Sequence, residues 1–162
     1  MKRCNLFVSI FVVLNILVFT TGIALSQDKS TTRAQAQELL KQALTYTKSV
    51  GCEKAFTEFS NPKSKFNTAY PMTHMTAGER SGTTLAHGNM PAAIGKNFID
   101  VKDAEGKPFV KMIMENLKKS NHSEIDYKWY HTASQKVVTR HQMTEVFNCG
   151  GSRGEVAFSV VY

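Results

Sequence analysis

Apolar positions along the chain change their period several times, and each change marks an element. Between 32 and 50, Ala36, Leu39, Leu40, Ala43, Leu44, Thr47 and Val50 recur at three- and four-residue steps. That spacing puts them on one face of a helix of about five turns, which Gly51 stops. Ala55, Phe56 and Phe59 predict a second short helix over 53–59, closed by Asn61-Pro62. The pattern then shortens: 70–75 reads as a strand, 77–82 as a loop or hairpin end, and 83–87 as another strand. Gly88, Asn89 and Pro91 break any further ladder, and a long loop runs through Gly95 to the pair Gly106 and Pro108. There a helix begins, predicted over 108–120, burying Phe109, Val110, Ile113, Met114 and Leu117 and showing Lys111, Glu115, Lys118 and Lys119 to water.

The last third alternates. Ile125, Tyr127 and Trp129 fall on one face of a strand at 124–130, with Asp126, Lys128 and Tyr130 on the other. A turn at 131–136, a strand at 137–147, a glycine-rich turn at 148–154 and a closing strand at 156–162 complete the order. Helices followed by mostly consecutive strands predict an α+β domain whose sheet has one face covered by helices.

The first 26 residues stand apart from this pattern. Lys2 and Arg3 precede an apolar run from Leu6 to Phe19, and Ala24-Leu25-Ser26 offers small residues where a signal peptidase reads. Residues 1–26 are therefore expected to be a cleaved signal peptide, with an uncleaved anchor as the alternative, and 27–162 a single domain, periplasmic or secreted. The formal net charge is +7, but lysines alternate with acids instead of forming a block, which argues against nucleic acid as a partner. Export places Cys52 and Cys149 in an oxidising compartment, where a disulfide is possible and two free thiols are the alternative.

Five stretches carry a family resemblance: G-C-E-K-A-F-T-E-F-S-N-P-K from Gly51, T-T-L-A-H-G from Thr83, I-G-K-N-F-I-D-V-K-D-A-E-G-K-P-F-V from Ile94, D-Y-K-W from Asp126, and V-A-F-S-V-V-Y from Val156. Together they resemble a single Cache domain of the second type, an extracytoplasmic relative of the PAS fold found in bacterial chemoreceptors and sensor kinases. The resemblance implies a PAS-like/Cache fold: a long N-terminal helix on a five-stranded antiparallel sheet, with a small-molecule pocket under a crossing loop-helix segment. It implies binding of a small carboxylate or related metabolite, and a membrane receptor or kinase as partner. Pro71 departs from the family pattern, in a segment that usually holds an aromatic-rich strand. No hydrophobic span follows Tyr162, so the chain is not expected to be a membrane receptor by itself.

Several residues suit such a pocket. His87 closes a strand beside the Gly-Asn-Met-Pro loop, where an imidazole can donate to a carboxylate or simply hold a loop carbonyl. Arg140 can clamp a carboxylate through two parallel hydrogen bonds, and Lys128 is the competing cation. Tyr127 offers a hydroxyl and Trp129 a wall, although Lys128 and Trp129 cannot face one pocket from a regular strand. The implied pocket also runs along the segment holding Tyr70, Met72 and His74. Met72, His74, Met75, His87 and Met90 raise a second reading, a copper-binding protein, since thioether and imidazole suit copper. A ligand-free interaction module is the third. No nucleophile elbow, phosphate-cradling glycine loop or paired cysteine motif is present, so no enzyme activity and no cofactor are expected.

Overall fold

Residues 31–67, 73–131 and 134–162 are described in the computed structural model. The long helix α1 (Arg33–Val50) starts at Thr32, whose side chain accepts from the Gln35 N–H while the Gln35 side chain accepts from the Thr32 N–H. This reciprocal pair satisfies two of the amides that every helix start leaves open. Ala36, Leu40, Ala43 and Thr47 form its buried stripe. Gly51 ends it at φ 84°, a conformation that disfavours any residue with a Cβ, and α2 (Cys52–Phe59) begins at once.

Five strands follow: β1 (His74–Glu79), β2 (Thr84–His87), β3 (His122–His131), β4 (Lys136–Asn148) and β5 (Glu155–Val161). They form one antiparallel sheet in the order β2-β1-β5-β4-β3. Because β2 and β3 lie at opposite edges, the chain between them must cross the sheet. It does so through a short 3₁₀ turn (Pro91–Ala93), an extended loop and α3 (Phe109–Lys119).

The sheet divides the core in two. On one face α1 and α2 pack Leu40, Ala43, Phe56 and Phe59 against Met75, Met143, Val156, Phe158 and Val160. On the other, α3 brings Phe109, Ile113 and Leu117 against Tyr127, Ala157 and Val161. Helices therefore cover both faces, a correction to the one-sided arrangement predicted from element order. The reason lies in β5, where Val156, Phe158 and Val160 point one way and Ala157 and Val161 the other, all buried.

The first hairpin differs most from expectation. The strand predicted at 70–75 runs over His74–Glu79, and Ala77 to Glu79, expected as loop, pair with Phe158, Ala157 and Val156. Gly78 suggested a turn, but it sits within β1 where a Cβ would lie 3.2 Å from the Thr83 carbonyl oxygen. The turn comes later, at Gly82 with φ 94°. Residues 70–72 and the segment 1–30, with its predicted signal peptide, lie outside the described residues.

Two local devices hold the crossing segment. The buried Asp103 accepts backbone N–H groups of Glu105 and Lys107 on one oxygen and of Lys128 on the other, pinning the loop to β3. These donors, Lys128 N–H first, hold its carboxyl below the usual range. At the other end Asn67 accepts from Met75 N–H and donates to the Phe59 and Asn61 carbonyls. Gly88 packs so close that a Cβ would meet Asn67 Oδ1 at 2.0 Å. Finally, Cys52 and Cys149 are joined in a disulfide, Cα–Cα 5.8 Å, tying the start of α2 to the β4–β5 turn.

Candidate functional site

A cavity of about 350 Å³ lies between the sheet and the crossing segment. It exists because the middle of this sheet face is built from small residues. Thr76 stands opposite Ser159 and Gly78 opposite Ala157 across β1 and β5, and these four form the floor. Larger rings make one wall: Phe109 stacks on Tyr127 with centroids 4.2 Å apart, and Trp129 meets both edge-on. Ile113 and Met114 of α3 and Phe98 of the loop close the roof.

Polar groups gather at two ends. At the first, Tyr127 and Arg140 are direct partners across β3 and β4, so both point to the cavity face. Arg140 is 5% exposed, and its guanidinium donates to the Tyr127 hydroxyl. Burial lowers the Arg140 pKa, opposed by the Tyr127 contact, while burial pushes Tyr127 up to about 12, opposed by Arg140. At any physiological pH the pair is a guanidinium cation beside a neutral phenol. Among the described residues, none that lines the cavity is Asp or Glu.

The second end lies three strands away, at β1 and β2. His74 and His87 stack with centroids 4.8 Å apart and planes 24° from parallel. His87 Nδ1 accepts the backbone N–H groups of Asn89 (3.3 Å) and Met90 (3.0 Å). A nitrogen that accepts two N–H groups carries no proton, so the neutral ring has its hydrogen on Nε2. His74 Nδ1 lies 2.9 Å from the Asn89 side-chain nitrogen, which can only donate, fixing the same tautomer. Burial lowers the His87 pKa to about 4, and the two amides bonded to its neutral form act in the same direction.

This tautomer bears on the copper reading. In each ring Nδ1 is occupied and Nε2 holds a proton, leaving no lone pair for a metal. Met75 points to the face covered by α1 and α2, fully buried, and so cannot join His74 and His87. Among the described residues no cluster of three His, Cys, Asp or Glu side chains is placed to hold a metal ion.

Of the residues singled out from sequence, His74, His87, Tyr127, Trp129 and Arg140 line the cavity together. Tyr70 and Met72 lie outside the described residues. Lys128 does not line it: its side chain leaves the opposite face of β3, where Nζ donates to Thr139 Oγ1 at 2.7 Å. The period of two decides between Lys128 and its neighbours Tyr127 and Trp129, and gives the cavity to the rings. Thr76, Asn89, Gln142 and Ser159 were missed. Only Asn89, in the Gly-Asn-Met-Pro loop, carried a local signal; Ser159 sits in an apolar run that reads as core.

With the geometry in place, comparison with known proteins is direct. Residues 23–148 match the family Single Cache domain 2. The chain belongs to this family. Single Cache domains are extracytoplasmic sensory modules that bind small molecules and are not enzymes. Among solved structures, the chain is similar to a methyl-accepting chemotaxis protein from Vibrio parahaemolyticus RIMD 2210633, with TM-score 0.61 and 14% identity, over 80% of this chain and 86% of that one. It is similar also to a Cache chemosensory domain described for carboxylic acid recognition, with TM-score 0.62 and 14% identity, over 80% and 91% of the two chains. The periplasmic sensor domain of a chemotaxis protein aligns with TM-score 0.56 and 13% identity, over 80% and 88%. At such identities the likeness establishes a shared fold. No curated protein sequence matches the chain. Among the described residues, no helix is long and apolar enough to cross a membrane.

Proposed function

We propose that the protein is an exported sensor of a small carboxylate, held in the cavity at Arg140. The observation that carries this reading is a buried guanidinium, set beside a neutral phenol, on the wall of a cavity whose lining holds no acidic side chain among the described residues. A carboxylate there accepts from Arg140 and from the Tyr127 hydroxyl, charge-assisted bonds that lose little to solvent screening. The carboxylate recognition described for one structural neighbour supports the same chemistry. Residues 1–26 direct export and are removed, and the disulfide suits the oxidising compartment reached.

Binding is read out by a membrane partner. The ligand draws the loop from 88 to 106 onto the sheet, and α1 transmits the closed state, since Arg33 pairs with Glu124 on β3 and Thr31 bonds to Thr73 just before β1. A thermal-shift screen of the protein against small carboxylates tests the first step. A bound acid at a hundred times its dissociation constant stabilises the fold by roughly 2.7 kcal/mol, so one acid family is expected to raise Tm by several degrees. No shift with any carboxylate would overturn the reading.

A further inference from the structure

Among the described residues, the cavity lining holds one cation and, at its far end, a histidine that is a hydrogen-bond donor without charge. His87 Nδ1 is fully used by the Asn89 and Met90 amides, so its only donor is Nε2–H. Among the described residues that N–H has no acceptor, although the ring lines the cavity. A half-buried donor facing a cavity is satisfied by whatever fills the cavity.

Charge counting narrows the ligand further. Among the described lining residues, Arg140 is the one Lys or Arg, and none is Asp or Glu. Among the described residues, the remaining titratable groups in the lining are His74, held like His87 with Nδ1 as acceptor, Tyr127, Tyr130, and His131, whose Nδ1 bonds Ser134. A second carboxylate on the ligand would enter a partly dry site with no cation to meet it, and an ammonium would find no carboxylate. A plain alkyl acid would fill the space but leave His87 Nε2–H without a partner. Three strand spacings of about 4.8 Å, roughly 14 Å between backbones, separate β2 from β4, and Arg140 and His87 both line the one cavity between them.

We infer that the ligand is a monocarboxylate carrying an uncharged oxygen acceptor, a carbonyl or hydroxyl, at the end remote from its carboxylate, and that His87 Nε2–H selects for that oxygen. The inference rests on the carboxylate reading above and adds the class of acid. It also assigns His87 a role in specificity that its neutral, locked tautomer makes independent of pH near neutrality.

A matched panel on one carbon skeleton tests it by titration calorimetry of the whole exported protein at pH 7: pentanoate, 4-oxopentanoate, 5-hydroxypentanoate, glutarate and 5-aminopentanoate. The oxo or the hydroxy acid is expected to bind about tenfold tighter than pentanoate, as one net hydrogen bond allows, with glutarate and 5-aminopentanoate weaker than pentanoate by a similar factor or more. The variant His87→Asn keeps an oxygen acceptor near the Nδ1 position for the loop amides and removes the Nε2 donor. It is expected to lose the preference for the oxygenated acids, binding them no more tightly than it binds pentanoate. Circular dichroism of this variant separates a lost donor from a lost fold; His87→Gln, whose side-chain amide places an N–H donor near the Nε2 position, is expected to keep the preference for the oxygenated acids. Equal affinity for pentanoate and both oxygenated acids, or tightest binding of glutarate or the amino acid, overturns this inference while leaving the carboxylate reading standing. No binding of any acid in the panel overturns both.

Discussion

The two faces of the sheet are made by the same strands and do opposite things. On β5, Val156, Phe158 and Val160 are driven into α1 and α2, where Phe158 meets Phe56, Phe59 and Phe147 ring to ring. The alternate residues Ala157, Ser159 and Val161 face the cavity. On β1, Met75 and Ala77 go to the helices and His74, Thr76 and Gly78 to the cavity. The face under α1 and α2 is large, apolar and closed by the disulfide; the cavity face is small, hydroxylated and roofed by α3 and a loop. Stability and recognition are thus separated by one residue along each strand, which lets the binding face depart from close packing without unfolding the domain.

Three changes would break or sharpen this comparison. The largest effect is expected at the disulfide, which closes a loop with a sequence separation of 97. Replacing Cys52 and Cys149 together by Ser should cost on the order of 4 kcal/mol in denaturant unfolding, with little change in ligand affinity once folded. Neighbouring substitutions on β5 come next. Phe158→Ala should destabilise by about 3–5 kcal/mol, whereas Ala157→Leu, at the cavity floor beside α3, should cost only about 1–3 kcal/mol and abolish binding. If Ala157→Leu unfolded the protein as readily as Phe158→Ala, the two faces would not differ as described.

The smallest of the three is a pH effect from the cavity face. His87 has a folded pKa of about 4, below its ordinary 6.5, so between those values the unfolded chain binds the extra proton. Stability therefore rises with pH across this window, and acidification from 6.5 to 4 should remove about 3 kcal/mol. Above pH 6.5 the contribution is flat. Thermal unfolding of the wild type and His87→Asn across this range checks it, the variant having the shallower slope.

Much of the fold was legible in the sequence because the periods were clean. The stripe from Ala36 to Thr47 and the alternation from Ile125 to Trp129 each name one buried face, and the resemblance supplied the topology. The first hairpin was misread because Gly78 carries a turn signal that only its cross-strand neighbour Ala157 and the nearby Thr83 carbonyl explain. The disulfide stayed open because two cysteines this far apart in sequence reveal nothing of the approach between α2 and the last turn. At the site, Arg140 and His87 were visible as chemistry in the right strands. The floor of Thr76 and Ser159 was not, since small polar residues inside an apolar strand look the same whether they face a cavity or a packed layer.

The central claim is that the buried Arg140 holds a carboxylate. Titration of the tightest-binding acid from the screen into the wild type and Arg140→Ala tests it most directly. Loss of a charge-assisted pair predicts affinity weaker by roughly a hundredfold, about 2.7 kcal/mol, with Arg140→Lys falling between the two. An Arg140→Ala protein that stays folded and binds the acid as tightly as the wild type would contradict the account.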